Sequence, residues 1–261
     1  MTILQVEKLT KSFGGLTAVS NFNMGLRKGE LVGLIGPNGA GKTTVFNLLT
    51  GIYAPTSGRI RLNINGQEKE IQGLKPNAIC NAGIARTFQN IRLFRELTVL
   101  DNVCIAMHQN MNYGLFSGLF HLPSYKREEK RLIEESYELL RIMKLDHKAY
   151  ELAKNLPYGE QRHLEIARAL ATQPSLLLLD EPAAGMNPAE TTQLTDIIHW
   201  IREQFNLTIL LIEHDMSLVM RICKRIFVLD HGLLIAEGAP EEVRSNKQVI
   251  KAYLGEEINN A

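Results

Sequence analysis

The chain has 261 residues, with 29 Lys and Arg against 28 Asp and Glu and an apolar fraction of 45%. Those values predict one large α/β domain, or a core with a modest insertion. A net charge of +1 speaks against nucleic acid as a partner, and no apolar run nears the roughly 18 residues that span a bilayer, so a membrane role has to come through a partner.

Three cysteines, Cys80, Cys104 and Cys223, stand far apart without a CxxC pair. They suggest neither a zinc site nor a disulfide framework, and predict buried free thiols in a reducing cytosol.

In chain order, Ile3 to Leu9 alternates apolar with polar and predicts a strand, not a signal peptide. Glu30 to Ile35 is a short apolar run, followed by the glycine-rich GPNGAGKT and a helical stretch through Leu49. Gly51 closes that helix, and Pro55, Ser57 and Gly58 make a turn. Arg59 to Ile64 predicts a strand with Asn65-Gly66 as a hairpin turn. Short strands at this end predict an antiparallel sheet beside the core.

From about Leu97 to Asn155 no run has the pattern of a buried strand. Glu128 to Leu145 carries Leu132, Ile133, Tyr137, Leu140 and Met143 at helical spacing, so a helical subdomain inserted at about residues 95–160 is expected. Met107 to Tyr125 sets Leu115, Phe116, Leu119 and Phe120 among Gly114, Gly118 and Pro123. It is expected to be a loop packing its own apolar residues, with an apolar surface for a partner as the alternative. Leu176 to Leu179, Thr208 to Ile212 and Ile226 to Leu229 suit strands buried on both faces. The tail from Glu256 to Ala261 is expected to fray.

Gly36-Pro37-Asn38-Gly39-Ala40-Gly41-Lys42-Thr43 matches GxxxxGK[ST] in full, with Thr44 next, between strand and helix. Its glycines let backbone N–H groups turn toward phosphate oxygens, Lys42 reaches the β- and γ-phosphates, and the Thr43 hydroxyl ligates Mg²⁺. The following helix points its positive end at the same anion. The glycine order does not fit the dinucleotide pattern GxGxxG.

Leu176-Leu-Leu-Leu-Asp180-Glu181 ends a buried run in two acids. Beside a P-loop, Asp180 suits a Walker B aspartate that holds Mg²⁺, and Glu181 is positioned to polarise an attacking water. The guanine signature NKxD is absent, since Asn246-Lys247 is followed by Gln248 and Val249.

Leu156-Pro157-Tyr158-Gly159-Glu160-Gln161, ahead of a helix expected at Arg162 to Ala171, resembles the LSGGQ-like signature of the ABC ATPase family. Leu156, Gly159 and Gln161 fit. Pro157 replaces a serine that donates to the γ-phosphate in the family, and Tyr158 replaces a glycine. The resemblance covers essentially the whole chain. It implies a P-loop NTPase core with a RecA-like mixed sheet, an antiparallel β subdomain and an inserted α-helical subdomain, all within one nucleotide-binding domain over residues 1–261.

The resemblance also implies roles for single residues. Phe13 in KSFGGLTAV matches the aromatic that stacks on adenine. Gln89 in ARTFQN matches the glutamine that touches Mg²⁺ and senses the γ-phosphate. His214 in LLIEHDM matches the switch histidine. Asn187 stands at the D-loop position where the family usually has Asp.

Within the family, LPYGEQRHLEIARAL, LLLLDEPAAGMNP and the ending AYLGEE look like the ATP-binding subunits of bacterial branched-chain amino acid importers. That likeness implies a head-to-tail dimer in which Tyr158–Gln161 of one subunit cover ATP on the other. Its dimer mate is a sister ATPase or a second copy. It further implies membrane permease subunits, an indirect periplasmic or extracellular binding protein, and a place on the inner face of the cell membrane. Alternatives are an ABC ATPase for lipopolysaccharide, urea or amides, a soluble ABC ATPase acting on ribosomes or DNA, and a P-loop kinase. The kinase would not explain the signature loop or His214, and the soluble types usually carry two cassettes or a long coiled coil.

Overall fold

The alternating start of the chain forms a hairpin in the computed structural model, which describes residues 1–64, 66–108 and 123–259; the side chains of 123–125 and 255–259 lie outside that description. Strands β1 (Thr2–Phe13) and β2 (Leu16–Arg27) pair antiparallel around Gly14-Gly15, with Phe13 opposite Leu16. They join β4 (Ser57–Ile64) and β5 (Gln67–Glu70) in a four-stranded antiparallel sheet ordered β2-β1-β4-β5. The expected Asn65-Gly66 turn falls partly outside the described residues, at Asn65.

A second sheet has the order β10-β9-β3-β8-β7-β6. Its strands are β3 (Leu31–Ile35), β6 (Ile84–Arg86), β7 (Leu176–Asp180), β8 (Thr208–Ile212), β9 (Arg225–Asp230) and β10 (Leu233–Gly238). All neighbours run parallel except β10, which pairs antiparallel to β9. Every residue of β3, β7 and β8 is buried, as continuous apolar runs in a parallel sheet require. One cluster of buried side chains draws on both sheets and on α1 (Lys42–Leu49), including Leu4, Phe22, Phe46, Leu178, Leu210 and Phe227.

The chain divides into two units: Met1–Arg86, Ser175–Pro182 and Ile198–Ala261 in the first, Thr87–Pro174 and Ala183–Ile197 in the second. The first holds both sheets, together with α1 and α2 (Pro76–Asn81). The second contains α3 (Val99–Met107), α4 (Pro123–Ile142), α5 (Tyr158–Ala171) and the first part of α6 (Pro188–Gln204). Thr98 caps α3 by accepting from Asp101 N at 3.0 Å. Buried Asn102 ties the preceding loop to that helix through Phe94 N, Phe94 O and Thr98 O.

The structure differs from the sequence-based expectations in three places. The helix expected to end at Leu145 stops at Ile142, followed by Lys144 in the left-handed region (φ 59°). The helix expected to begin at Arg162 begins at Tyr158, so the signature residues form its first turn. Residues 256–259, expected to fray, are helical in α9 (Lys247–Asn259), which follows α7 (Met216–Ile222) and α8 (Pro240–Ser245); Val249 anchors its start in the core at 5% exposure. Of the segment Met107 to Tyr125, residues 109–122 lie outside the described ones.

Candidate functional site

Parallel order places the chemistry of the first unit along one edge. Gly36 follows β3, Asp180 ends β7, and His214 lies two residues past β8; β8 sits between β3 and β7. Ile212 pairs with both Leu34 and Asp180, and its carbonyl accepts from Glu181 N at 2.9 Å. The carboxyl ends of the strands therefore deliver the loop, two acids and a histidine together, where open parallel sheets bind their ligands.

The loop Gly36–Gly41 is held by positions that only glycine fits. Gly36 has φ 149°, and a Cβ there would lie 2.0 Å from Leu229 O. Gly41 has φ 104°, and a Cβ there would lie 2.6 Å from Ala18 O. Lys42 opens α1, buried at 5% exposure, with Nζ donating to Gly36 O at 2.6 Å and Pro37 O at 2.7 Å. Ala40 is buried, Thr44 half-buried, and Asn38, Gly39 and Thr43 exposed. A backbone cradle, an ammonium and a helix N-terminus at one place suit a polyphosphate.

Asp180, 3% exposed, is bonded to Arg86, whose Nη2 lies 2.6 Å from Asp180 Oδ2 and whose Nη1 donates to Asn47 Oδ1 at 2.7 Å. Glu181 has φ 48°, a left-handed conformation rare for a residue with a side chain and characteristic of functional sites. Its Oε1 lies 2.6 Å from His214 Nε2. An ionised carboxylate only accepts, so Nε2 is the donor. Among the described residues no cluster of three or more His, Cys, Asp or Glu could hold a metal. The oxygen donors Thr43 and Asp180 suit a hard cation bound chiefly through a ligand's phosphates, the usual manner of Mg²⁺.

Phe13, at the end of β1, is 42% exposed and meets Tyr53 edge-on at 5.2 Å; Lys11 Nζ lies 4.9 Å from its ring centroid. The exposed ring face suits stacking on a base.

Gln89 and the signature residues belong to the second unit. Pro157 precedes the first turn of α5, which has no side-chain cap. Tyr158 is 45% exposed and Gly159 buried. Both carboxylate oxygens of Glu160 accept from Lys148 Nζ, at 2.8 and 2.7 Å, and that hydrogen bond pushes the Lys148 pKa up. Gln161 Nε2 donates to Leu156 O at 2.8 Å. Asn187 caps α6: its Oδ1 accepts from Ala189 N and Glu190 N, and its own N–H donates to Glu190 Oε2 at 2.9 Å. Asn caps as well as Asp, so this departure from the family pattern keeps the helix start.

Sequence reasoning missed Arg86, Arg162 and Glu165. Arg162 and Glu165 lie on the face of α5 that also carries Ile166 and Ala169, all buried. That i, i+3, i+4, i+7 spacing was the available signal.

A family model described as ABC transporter matches residues 19–184, and one described as branched-chain amino acid ATP-binding cassette transporter matches residues 234–259. Over 255 residues the chain is 52% identical to the high-affinity branched-chain amino acid transport ATP-binding protein LivG of Salmonella typhimurium, covering 97% of this chain and 98% of that one. It is 49% identical over 254 residues to the corresponding protein BraF of Pseudomonas aeruginosa, again covering 97% and 98%. Among solved structures, the ADP conformation of MJ1267, an ATP-binding cassette of an ABC transporter, is similar with a TM-score of 0.83 and 30% identity, over 98% of this chain and 99% of that one.

Proposed function

The chain belongs to the ABC transporter family as an ATPase subunit, and from that premise we propose that it hydrolyses ATP to energise import of branched-chain amino acids. The observation that carries the reading of the site is the convergence of Lys42, Asp180, Glu181 and His214 at one edge of the parallel sheet, with Glu181 and His214 2.6 Å apart. The substrate rests on the match at residues 234–259 and on the names of relatives about half identical along nearly their whole length.

In this reading the loop Gly36, Pro37, Asn38, Gly39, Ala40 and Gly41 cradles the phosphates, with Lys42, Thr43 and Thr44 at the helix start. Phe13 stacks on adenine. Thr43 and Asp180 would hold Mg²⁺, which would supply charge neutralisation at the phosphates, and the family resemblance gives Gln89 a part in sensing the bound nucleotide. Glu181 takes the proton of the attacking water as the bond from the γ-phosphorus to the ADP oxygen breaks, and His214 donates to the γ-phosphoryl oxygens. Tyr158, Gly159, Glu160 and Gln161 complete the site of a second subunit in a head-to-tail dimer with itself or a sister ATPase. In this reading about residues 95–160 form the inserted helical subdomain.

Membrane permeases, served by a periplasmic or extracellular binding protein, would couple closure of that dimer to transport. Among the described residues no helix is long and apolar enough to cross a membrane, which fits peripheral attachment to the inner face through those permeases.

The test is uptake of labelled leucine in cells lacking this chain, complemented by wild type or Lys42→Ala. Uptake restored by wild type alone supports the reading. Uptake indifferent to the deletion, with redundant systems removed, overturns the substrate.

A further inference from the structure

Arg162 and Glu165 form a buried ion pair one turn apart on α5, 0% and 5% exposed, with Nη1 2.8 Å from Oε2. Replacing such a pair by apolar residues is often neutral or stabilising, so stability alone is a weak reason for its presence. Its hydrogen bonds supply another reason, because they go to one short stretch of backbone. Arg162 Nη1 donates to Phe88 O at 2.6 Å and Nη2 to Gln89 O at 2.8 Å. Glu165 Oε1 accepts from Phe88 N at 3.1 Å and from Arg92 N at 3.4 Å. Donors and acceptors of residues 88–92 are thus gripped by one charged pair. The same Arg162 Nη2 also donates to the Tyr158 hydroxyl at 3.0 Å.

We propose that Arg162 and Glu165 are positioning residues for ATP hydrolysis: they fix the backbone that presents Gln89 and tie it, through the Tyr158 hydroxyl, to the first turn of α5. This rests on the reading of Gln89 and Tyr158 as nucleotide-contacting residues. A planar guanidinium serves four acceptors here, Glu165 Oε2, Phe88 O, Gln89 O and the Tyr158 hydroxyl, at fixed angles, which an ammonium with three donors cannot. A shift of the Tyr158 turn therefore reorients Arg162 and moves the Gln89 carbonyl with it. The signature turn and the glutamine loop of one subunit are then read by a single side chain.

The experiment is amide hydrogen exchange at Phe88 and Arg92 in the full chain, alongside steady-state ATP hydrolysis, for Tyr158→Phe and Arg162→Lys. Tyr158→Phe removes one hydroxyl from a half-exposed side chain, so folding is kept even where Arg162→Lys fails to fold. The expected result is exchange at least threefold faster at both amides, with kcat reduced at least threefold and KM for ATP unchanged. Unchanged exchange in Tyr158→Phe overturns the link to the signature turn, whatever kcat does. Faster exchange with kcat intact overturns the positioning role and leaves a structural clamp. A wild-type chain that neither binds nor hydrolyses ATP instead overturns the proposed function, and the exchange data still report whether the clamp exists.

Discussion

Arg86 and Asp180 form the buried ion pair of the first unit: Nη2 and Oδ2 are 2.6 Å apart, and the side chains are 6% and 4% exposed. Their strands β6 and β7 are neighbours, with Arg86 opposite Leu178, so the guanidinium reaches two residues along to the carboxylate. Removing one partner of such a pair costs about 3–5 kcal/mol, because the remaining charge stays in a low-dielectric site. Arg86→Met is expected to lower Tm by roughly 10 °C, and adding Asp180→Asn should recover part of that loss. Calorimetry checks both. A Tm within about 2 °C of wild type for Arg86→Met would show that the pair adds nothing to stability.

The loop glycines should differ in sensitivity. A Cβ at Gly36 meets backbone, Leu229 O at 2.0 Å, whereas a Cβ at Gly39 meets nothing within 4 Å. Gly39→Ala pays only the left-handed conformation, about 1–2 kcal/mol. Gly36→Ala must displace the loop itself, and ATP affinity is expected to fall at least tenfold further than in Gly39→Ala. Titration with a fluorescent ATP analogue compares the two, and equal affinities would contradict the cradle geometry.

Glu181→Gln keeps the shape of the side chain that meets His214 but cannot take a proton. Phosphate release is expected to drop by roughly 10²–10³ while ATP stays bound. Single-turnover hydrolysis, with gel filtration in ATP, tests this. Turnover at the wild-type rate would remove Glu181 from the chemistry.

Folding stability should fall on acidification through His163. This histidine is buried on α5, with Nδ1 3.3 Å from Met143 O, and burial pushes its pKa below 6.5. Below that value the unfolded chain binds a proton that the folded chain resists, so stability rises with pH up to about 6.5 and is lost beneath it. His163→Gln should flatten the slope below about pH 6.5, measured by urea unfolding. The same slope in both proteins would assign the titration to other groups.

Sequence pattern made β3, β7, β8 and β9 legible because they are built on unbroken apolar runs, whereas the three-residue β6 and the partly polar β10 were not recognised. Strand β2 was not recognised: Leu16–Arg27 interleaves buried Val19, Phe22, Met24 and Leu26 with polar residues, and its pairing with β1 shifts register several times. Among site residues, the loop, the acids and His214 were legible because glycine spacing and strand ends mark them. Arg86, Arg162 and Glu165 were not, because a charge in a helix or strand reads as solvated until its partner is known. The partners here lie 94 residues away for Arg86 and more than 70 for the backbone that Arg162 and Glu165 hold.

The edge shared by β3, β8 and β7 acts as a ruler. Neighbouring strands sit about 4.8 Å apart, so the separations among the P-loop, the region of His214 and Asp180 are multiples of a backbone constant. Insertions in stretches of the connections that lie away from Gly36–Thr43, Glu181–Asn187 and His214 leave those separations intact. One residue added within β7 would turn Asp180 to the opposite face and carry Glu181 away from His214. The tolerance of this chain to insertion is therefore divided sharply, with latitude only in crossover stretches away from the P-loop, Glu181 and His214, and none in fifteen residues of strand, five each in β3, β7 and β8.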